Sequence, residues 1–94
     1  MISHGLKAVT SVTTAGTPLA GRQNVAFMEW HPSAADDDLL VTDAASRTLW
    51  KCRAAGSAAN GESAYVEWKE FGYYTNGVVV STIDGGTLYI ETVV

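Results

Sequence analysis

The sequence predicts an all-β fold: a small antiparallel β-sandwich or jelly-roll-like barrel of about seven strands. Three observations lead there. No long stretch carries the i, i+3, i+4 apolar spacing of a surface helix. Runs rich in Val, Thr, Ile, Trp and Tyr recur at short intervals, and these side chains suit a pleated surface. Clusters of Gly, Asp, Asn, Ser and Pro separate the runs, as turns require.

Taken in order, residues 6–13 alternate loosely and form the first strand. Thr14-Ala15-Gly16-Thr17-Pro18 reads as a turn, with Pro18 outside any strand interior because it has no N–H to give a ladder. Residues 24–30 are apolar on both sides, Val25 and Phe27 on one and Ala26, Met28 and Trp30 on the other. Such a strand is expected to be central and covered on both faces. His31-Pro32-Ser33 breaks it. The acidic turn Asp36-Asp37-Asp38 leads into Leu39-Leu40-Val41-Thr42, and Asp43-Ala44-Ala45-Ser46 is a tight connection.

Residues 47–54 alternate clearly. Thr48, Trp50, Cys52 and Ala54 are expected inward, and Arg47, Lys51 and Arg53 outward with Leu49, because a period of two separates the faces of a strand. Residues 55–63 are small and polar and read as a loop. Residues 64–71 place Val66 and Trp68 on one face and Glu67 and Lys69 on the other. Residues 72–77 read as a connection. The final third, Gly77-Val78-Val79-Val80-Ser81-Thr82-Ile83 and residues 87–94 around Asp84-Gly85-Gly86, predicts a hairpin.

With 94 residues the chain is expected to be a single β domain spanning 1–94, in which residues 1–5 serve as an extended contact arm. Cys52 is the only cysteine, so no disulfide forms within the chain, and a lone Cys on a strand reads as a small core hydrophobe. Charged residues make up 17% of the chain and hydrophobic ones 47%, with three Trp and four Tyr. So few charges fit a surface partly covered by neighbours, hence an oligomer, or else a neutral surface rich in Ser, Thr, Ala and Gly.

Net charge is −4, with six Lys plus Arg and no basic run, so no nucleic acid partner is expected. No apolar run approaches the roughly 20 residues that span a bilayer, so no membrane partner is expected either. The opening Met1–Lys7 stretch lacks the pattern of a secretory leader, which points to synthesis in a cytoplasm.

Nothing in the chain announces a chemistry. The Asp36-Asp37-Asp38 run lacks the spaced ligands and fixed glycine of a calcium loop. His4 and His31 with one Cys are too few for zinc. No Gly-x-Ser-x-Gly elbow is present, and Gly85-Gly86 has no Lys-Ser/Thr after it. No catalytic residue, metal site or cofactor is expected, and the chain reads as a non-enzyme. Trp50 and Trp68 belong in the core. Tyr73 and Tyr74 lie in an expected connection and are candidate partner contacts, as are Ile2 and His4 in the N-terminal arm.

Several segments carry a resemblance. They are Val12-Thr13-Thr14-Ala15-Gly16-Thr17-Pro18-Leu19; the strand Val25-Ala26-Phe27-Met28-Glu29-Trp30; Leu39-Leu40-Val41-Thr42-Asp43 with Thr48-Leu49-Trp50-Lys51-Cys52-Arg53-Ala54; and Gly77-Val78-Val79-Val80 with Asp84-Gly85-Gly86-Thr87-Leu88-Tyr89-Ile90. Together they resemble small virion structural proteins of tailed bacteriophages. The Asp36 turn and Trp68-Lys69-Glu70-Phe71-Gly72-Tyr73-Tyr74 do not match that pattern. The resemblance implies a non-enzymatic virion role, with capsid decoration or cement preferred over tail. Implied partners are the major capsid protein or other virion proteins, with copies associating in the particle. The alternative is a carbohydrate- or receptor-binding β-sandwich module that uses exposed aromatics.

Overall fold

The computed structural model describes residues 7–54, 64–67 and 73–93. Seven strands follow in chain order: β1 (Lys7–Val12), β2 (Gly16–His31), β3 (Asp38–Thr42), β4 (Thr48–Arg53), β5 (Ala64–Glu67), β6 (Tyr73–Ile83) and β7 (Thr87–Val93). All pairings are antiparallel, in the order β1-β7-β2-β6-β3-β4, with β5 also against β2. No ladder joins β1 to β4 among the described residues, so the sheet is open and not closed into a barrel.

The 16-residue β2 organises everything else. Its first part, residues 16–25, pairs with β6. Its second part pairs with β7 along residues 25–31 and with β5 along residues 27–30. Register slips fall between Gly16 and Leu19, between Leu19 and Arg22, and between Val25 and Phe27. Each slip adds twist and bend, and a bent strand can serve two halves of a folded sheet at once. One half is β4, β3, β6 and the start of β2. The other is β1, β7, β5 and the end of β2. Leu39, Val41, Val78 and Val80 from the first half meet Val25, Met28, Trp30, Leu88 and Ile90 from the second in one buried cluster. The result is a thin, sandwich-like all-β fold, 17 Å across its shortest axis.

The expected last hairpin does not form. β6 pairs with β2 and β3, and β7 pairs with β1 and β2, so the two strands do not face each other. Asp84-Gly85-Gly86 carries the chain from one half to the other. Trp30 Nε1 donates to the Gly85 carbonyl at 2.9 Å, and the Asp84 amide donates to the Asp38 carbonyl at 3.0 Å. A short Asp-Gly linker permits a reversal but does not dictate that the flanking strands pair.

Period-two reading also fails across residues 24–30. Val25 opposes Thr92 while Phe27 opposes Glu91, which leaves Ala26 as the extra residue of a bulge. The phase then slips by one. Val25, Met28 and Trp30 share the buried side, and Phe27 and Glu29 are only half-buried. Pro18, expected in a turn, lies inside β2, in the unpaired stretch between Gly16 and Leu19, where no ladder needs its missing N–H. Residues 73–77, expected as a connection, are the first part of β6, and residues 73–76 face residues 22–25 of β2.

The β3–β4 hairpin forms as the sequence indicates, except that Thr48, expected inward, is exposed at the start of β4. Leu39 faces Cys52 and Val41 faces Trp50, and Trp50 and Cys52 pack half-buried on the core. Leu49, expected outward, packs there too, because the slip beside Thr42 leaves it without a facing residue. The expected loop at 55–63, Trp68 and Lys69 lie outside the described residues.

Candidate functional site

The turn between β3 and β4 is built on one carboxylate. Asp43 is 5% exposed. Its Oδ1 accepts from the Ala45 and Arg47 amides at 2.9 and 2.8 Å, and its Oδ2 accepts from Arg47 Nε at 2.8 Å. An Asp at the head of a tight turn commonly binds its own backbone in this way. The Ala44 amide donates to the Asn76 carbonyl at 2.9 Å and ties the turn to β6.

Beside it, β2 and β6 bring four more side chains together. Asn76 opposes Arg22 and Tyr74 opposes Asn24, so these residues share one face. Tyr73 and Tyr74 are 45% and 64% exposed, and Arg47 stays largely in solvent. Arg22, Arg47, Tyr73, Tyr74 and Asn76 surround an open depression of about 350 Å³, with Asp43 and Thr75 buried beneath. Asn24 Oδ1 is buried with no hydrogen-bond partner among the described residues. The hollow is therefore lined by two arginines, two tyrosines and an asparagine, with Tyr74 on the face of Arg22 and Asn76 and Tyr73 on the alternate side of the strand. It suits recognition of a partner carrying carboxylates and flat or apolar surface.

The Arg47 amide, opposed by burial and helped by the Arg47 guanidinium and the Ala45 amide, holds the Asp43 carboxyl below the usual carboxylate range. The Arg53 guanidinium does the same for Asp38, which it meets at 2.8 Å. A carboxylate whose folded pKa is depressed adds stability above its unfolded pKa. That stability is lost as pH falls through the folded value. The thermal midpoint is thus expected to be flat near neutrality and to fall below about pH 4. Asp43→Asn should melt lower at pH 6 and show a shallower acid slope, checked by circular dichroism melts from acid to neutral pH. An acid slope identical to the wild type would refute the assignment to Asp43.

Elsewhere the chemistry is sparse. Cys52 packs half-buried, and burial, helped by the Asp38 charge, pushes its thiol pKa up, so it holds its proton. His31 Nε2 meets Glu29 Oε2 at 2.9 Å and sits edge-on to the Tyr89 ring at 5.5 Å. Asp37 Oδ2 accepts from Ser33 Oγ and from the Ala34 amide, so part of the acidic turn binds itself. Among the described residues no three His, Cys, Asp or Glu side chains cluster as metal ligands. A second open hollow lies around Leu40, Lys51, Cys52 and Thr82, beside the Asp38–Arg53 pair, whose opposite charges balance.

Of the partner contacts expected from sequence, Tyr73 and Tyr74 come together at the depression, whereas Ile2 and His4 lie outside the described residues. Sequence reading misses Arg22, Arg47 and Asn76. The Asp43-to-Arg47 spacing is a usable signal for a turn held by an ion pair. Pairing of Arg22 with Asn76 joins distant segments and leaves no local trace. No family model, no curated protein and no solved structure matches this chain.

Proposed function

We propose that this chain is a non-enzymatic structural protein of a tailed-bacteriophage virion, made in the host cytoplasm, and that it decorates and stabilises the head. One observation carries the reading beyond the resemblance: two adjacent tyrosines stand exposed on a paired strand beside two arginines. Tyr and Arg dominate the energetics of protein contacts, and a hydrogen-bonded strand presents them with little ordering cost. The partner is the major capsid protein or another virion protein. Many modest contacts repeated over a shell then act together. Among the described residues, β1 and β4 each have one strand neighbour only, and such outer edges can add to a neighbour's sheet.

Gold-labelled antibody on particles should spread over the head. Label confined to the tail would move the protein within the virion, and unlabelled particles would end the virion role. The Tyr73→Ala/Tyr74→Ala variant should stay folded and fail to join particles, and deletion of residues 1–5 tests the arm in the same assay. Normal incorporation of both variants would remove these contacts from the proposal.

A second reading is a carbohydrate- or receptor-binding module, favoured by the mixed Tyr, Arg and Asn lining of the depression. Glycan capture by the purified chain, lost in the tyrosine variant, would support it over decoration.

A further inference from the structure

Among the described residues, the two ends of β6 differ in the charges around them. At its start lie Arg22 and Arg47 with Tyr73 and Tyr74, around the depression. At its finish, Ile83 opposes Leu39, and Asp84 follows directly. There Asp84 Oδ2 accepts from the Asp38 amide at 2.9 Å, which fixes the Asp84 turn against the start of β3 and beside Asp36 and Asp37. Eleven strand residues separate the two ends, a span of about 33 Å at roughly 3.3 Å per residue. The longest axis of the molecule is 42 Å.

The two ends carry opposite sign. Around the depression, among the described residues, Arg47 is paired with the nearly buried Asp43 at 2.8 Å and Arg22 adds a positive charge. At the far end, among the described residues, Asp36, Asp37 and Asp84 add three negative charges, while Asp38 is neutralised by Arg53 at 2.8 Å and Lys51 lies near it. Asp36 and Asp84 are exposed, and Asp36 sits at the tip of its turn with a φ of 63°.

We infer that copies of this chain associate head to tail, the Asp36/Asp84 end of one docking in the Arg22/Arg47/Tyr73/Tyr74 depression of the next. The inference rests on the assembly role proposed above and names one partner of its contact site. Charge complementarity selects a second copy as the occupant: the acidic surface that fits the depression is present on every molecule, at the opposite pole. Two-fold docking of like poles would bring arginine to arginine or aspartate to aspartate, which is repulsive. A heterologous contact has no built-in stop, so it makes rings or open rows, a geometry suited to tiling a surface.

The test uses the purified full chain in sedimentation velocity. At about 0.01 M ionic strength the wild type should form species that grow with protein concentration, and at about 1 M it should be monomeric, because the screening length shrinks from about 30 to about 3 Å. Arg22→Glu and Asp36→Asn/Asp84→Asn should each associate at least tenfold more weakly; Arg22→Gln replaces the first if it misfolds. Mixed together, the two variants retain one good depression and one good acidic end between them, so they should form a one-to-one pair and nothing larger. A wild type that stays monomeric at low salt overturns the inference. So do variants that assemble as the wild type does, or a mixture that gives no pair. Binding of D-glucuronate in the depression by a monomeric chain would overturn it in favour of the glycan reading. Absence of antibody label on particles would refute the virion role and leave self-association standing, so the two failures are distinct.

Discussion

Trp30→Ala should cost about 3–5 kcal/mol, the range for emptying a fully buried large aromatic site. Trp30 is 0% exposed and the largest fully buried side chain among the described residues. It sits opposite Leu88 on one flank and Ala64 on the other, in the part of β2 that carries β7 and β5. Its indole N–H also satisfies the Gly85 carbonyl in the crossing between halves. A domain of this size has roughly 5–14 kcal/mol in total, so the variant should lose much of its stability or fail to fold. Trp30→Phe separates the two roles. It keeps most of the apolar volume but drops the donor, leaving the Gly85 carbonyl without it, and should cost about 1–3 kcal/mol. Urea midpoints at constant slope measure both. Trp50→Ala is the control, because Trp50 is only half-buried on β4 and faces the core from an outer strand. A Trp30→Ala cost no larger than that of Trp50→Ala would show that the core is not centred on Trp30.

The second large effect belongs to Gly86. Its φ is +80°, where L side chains are strained, and a Cβ there would overlap the His31 carbonyl oxygen and come within 2.7 Å of Pro32 Cα. Both neighbours are backbone at the end of β2, so they cannot rotate away. Gly86→Ala should therefore cost more than about 3 kcal/mol, the backbone strain of about 1–2 kcal/mol plus the displacement. Gly21 has a φ of +76° with nothing within 4 Å of an added methyl, so Gly21→Ala isolates the strain alone at about 1–2 kcal/mol. The difference between the two midpoints reads the close approach of the β6–β7 crossing to the end of β2. Equal costs would mean that the crossing is free to move off His31.

Local chemistry in the sequence is enough for strand type and for the β3–β4 hairpin. There the acidic head of the turn, the alternation of Trp50 and Cys52 with Lys51 and Arg53, and the short connection all act within neighbouring residues. The pairing of β6 and β7 is not legible in the same way. Asp84-Gly85-Gly86 satisfies a hairpin turn and a crossing equally well, and the crossing that forms is held by Trp30, more than fifty residues earlier, bonding to Gly85. The bulge at Ala26 is equally hidden, because the extra residue shows only once β7 supplies a register to be out of step with. The exposed tyrosines are legible from their residue type, but not as members of a strand: instead of a loose connection, they stand in register against β2. The arginines beside them come from β2 and the β3–β4 turn, and only the fold of the sheet makes them neighbours.

Among the described residues β1 has a single strand partner, β7, and Lys7 faces Val93. During synthesis the first strand of the sheet must therefore wait for the last. Until β7 leaves the ribosome, Leu88 and Ile90 are missing from the cluster around Val12, Val25 and Met28, although β3 and β4 can already zip together by local contacts. Closing such distant ends is entropically slow, and the waiting chain exposes β1 and much of β2 to any neighbour with a free edge.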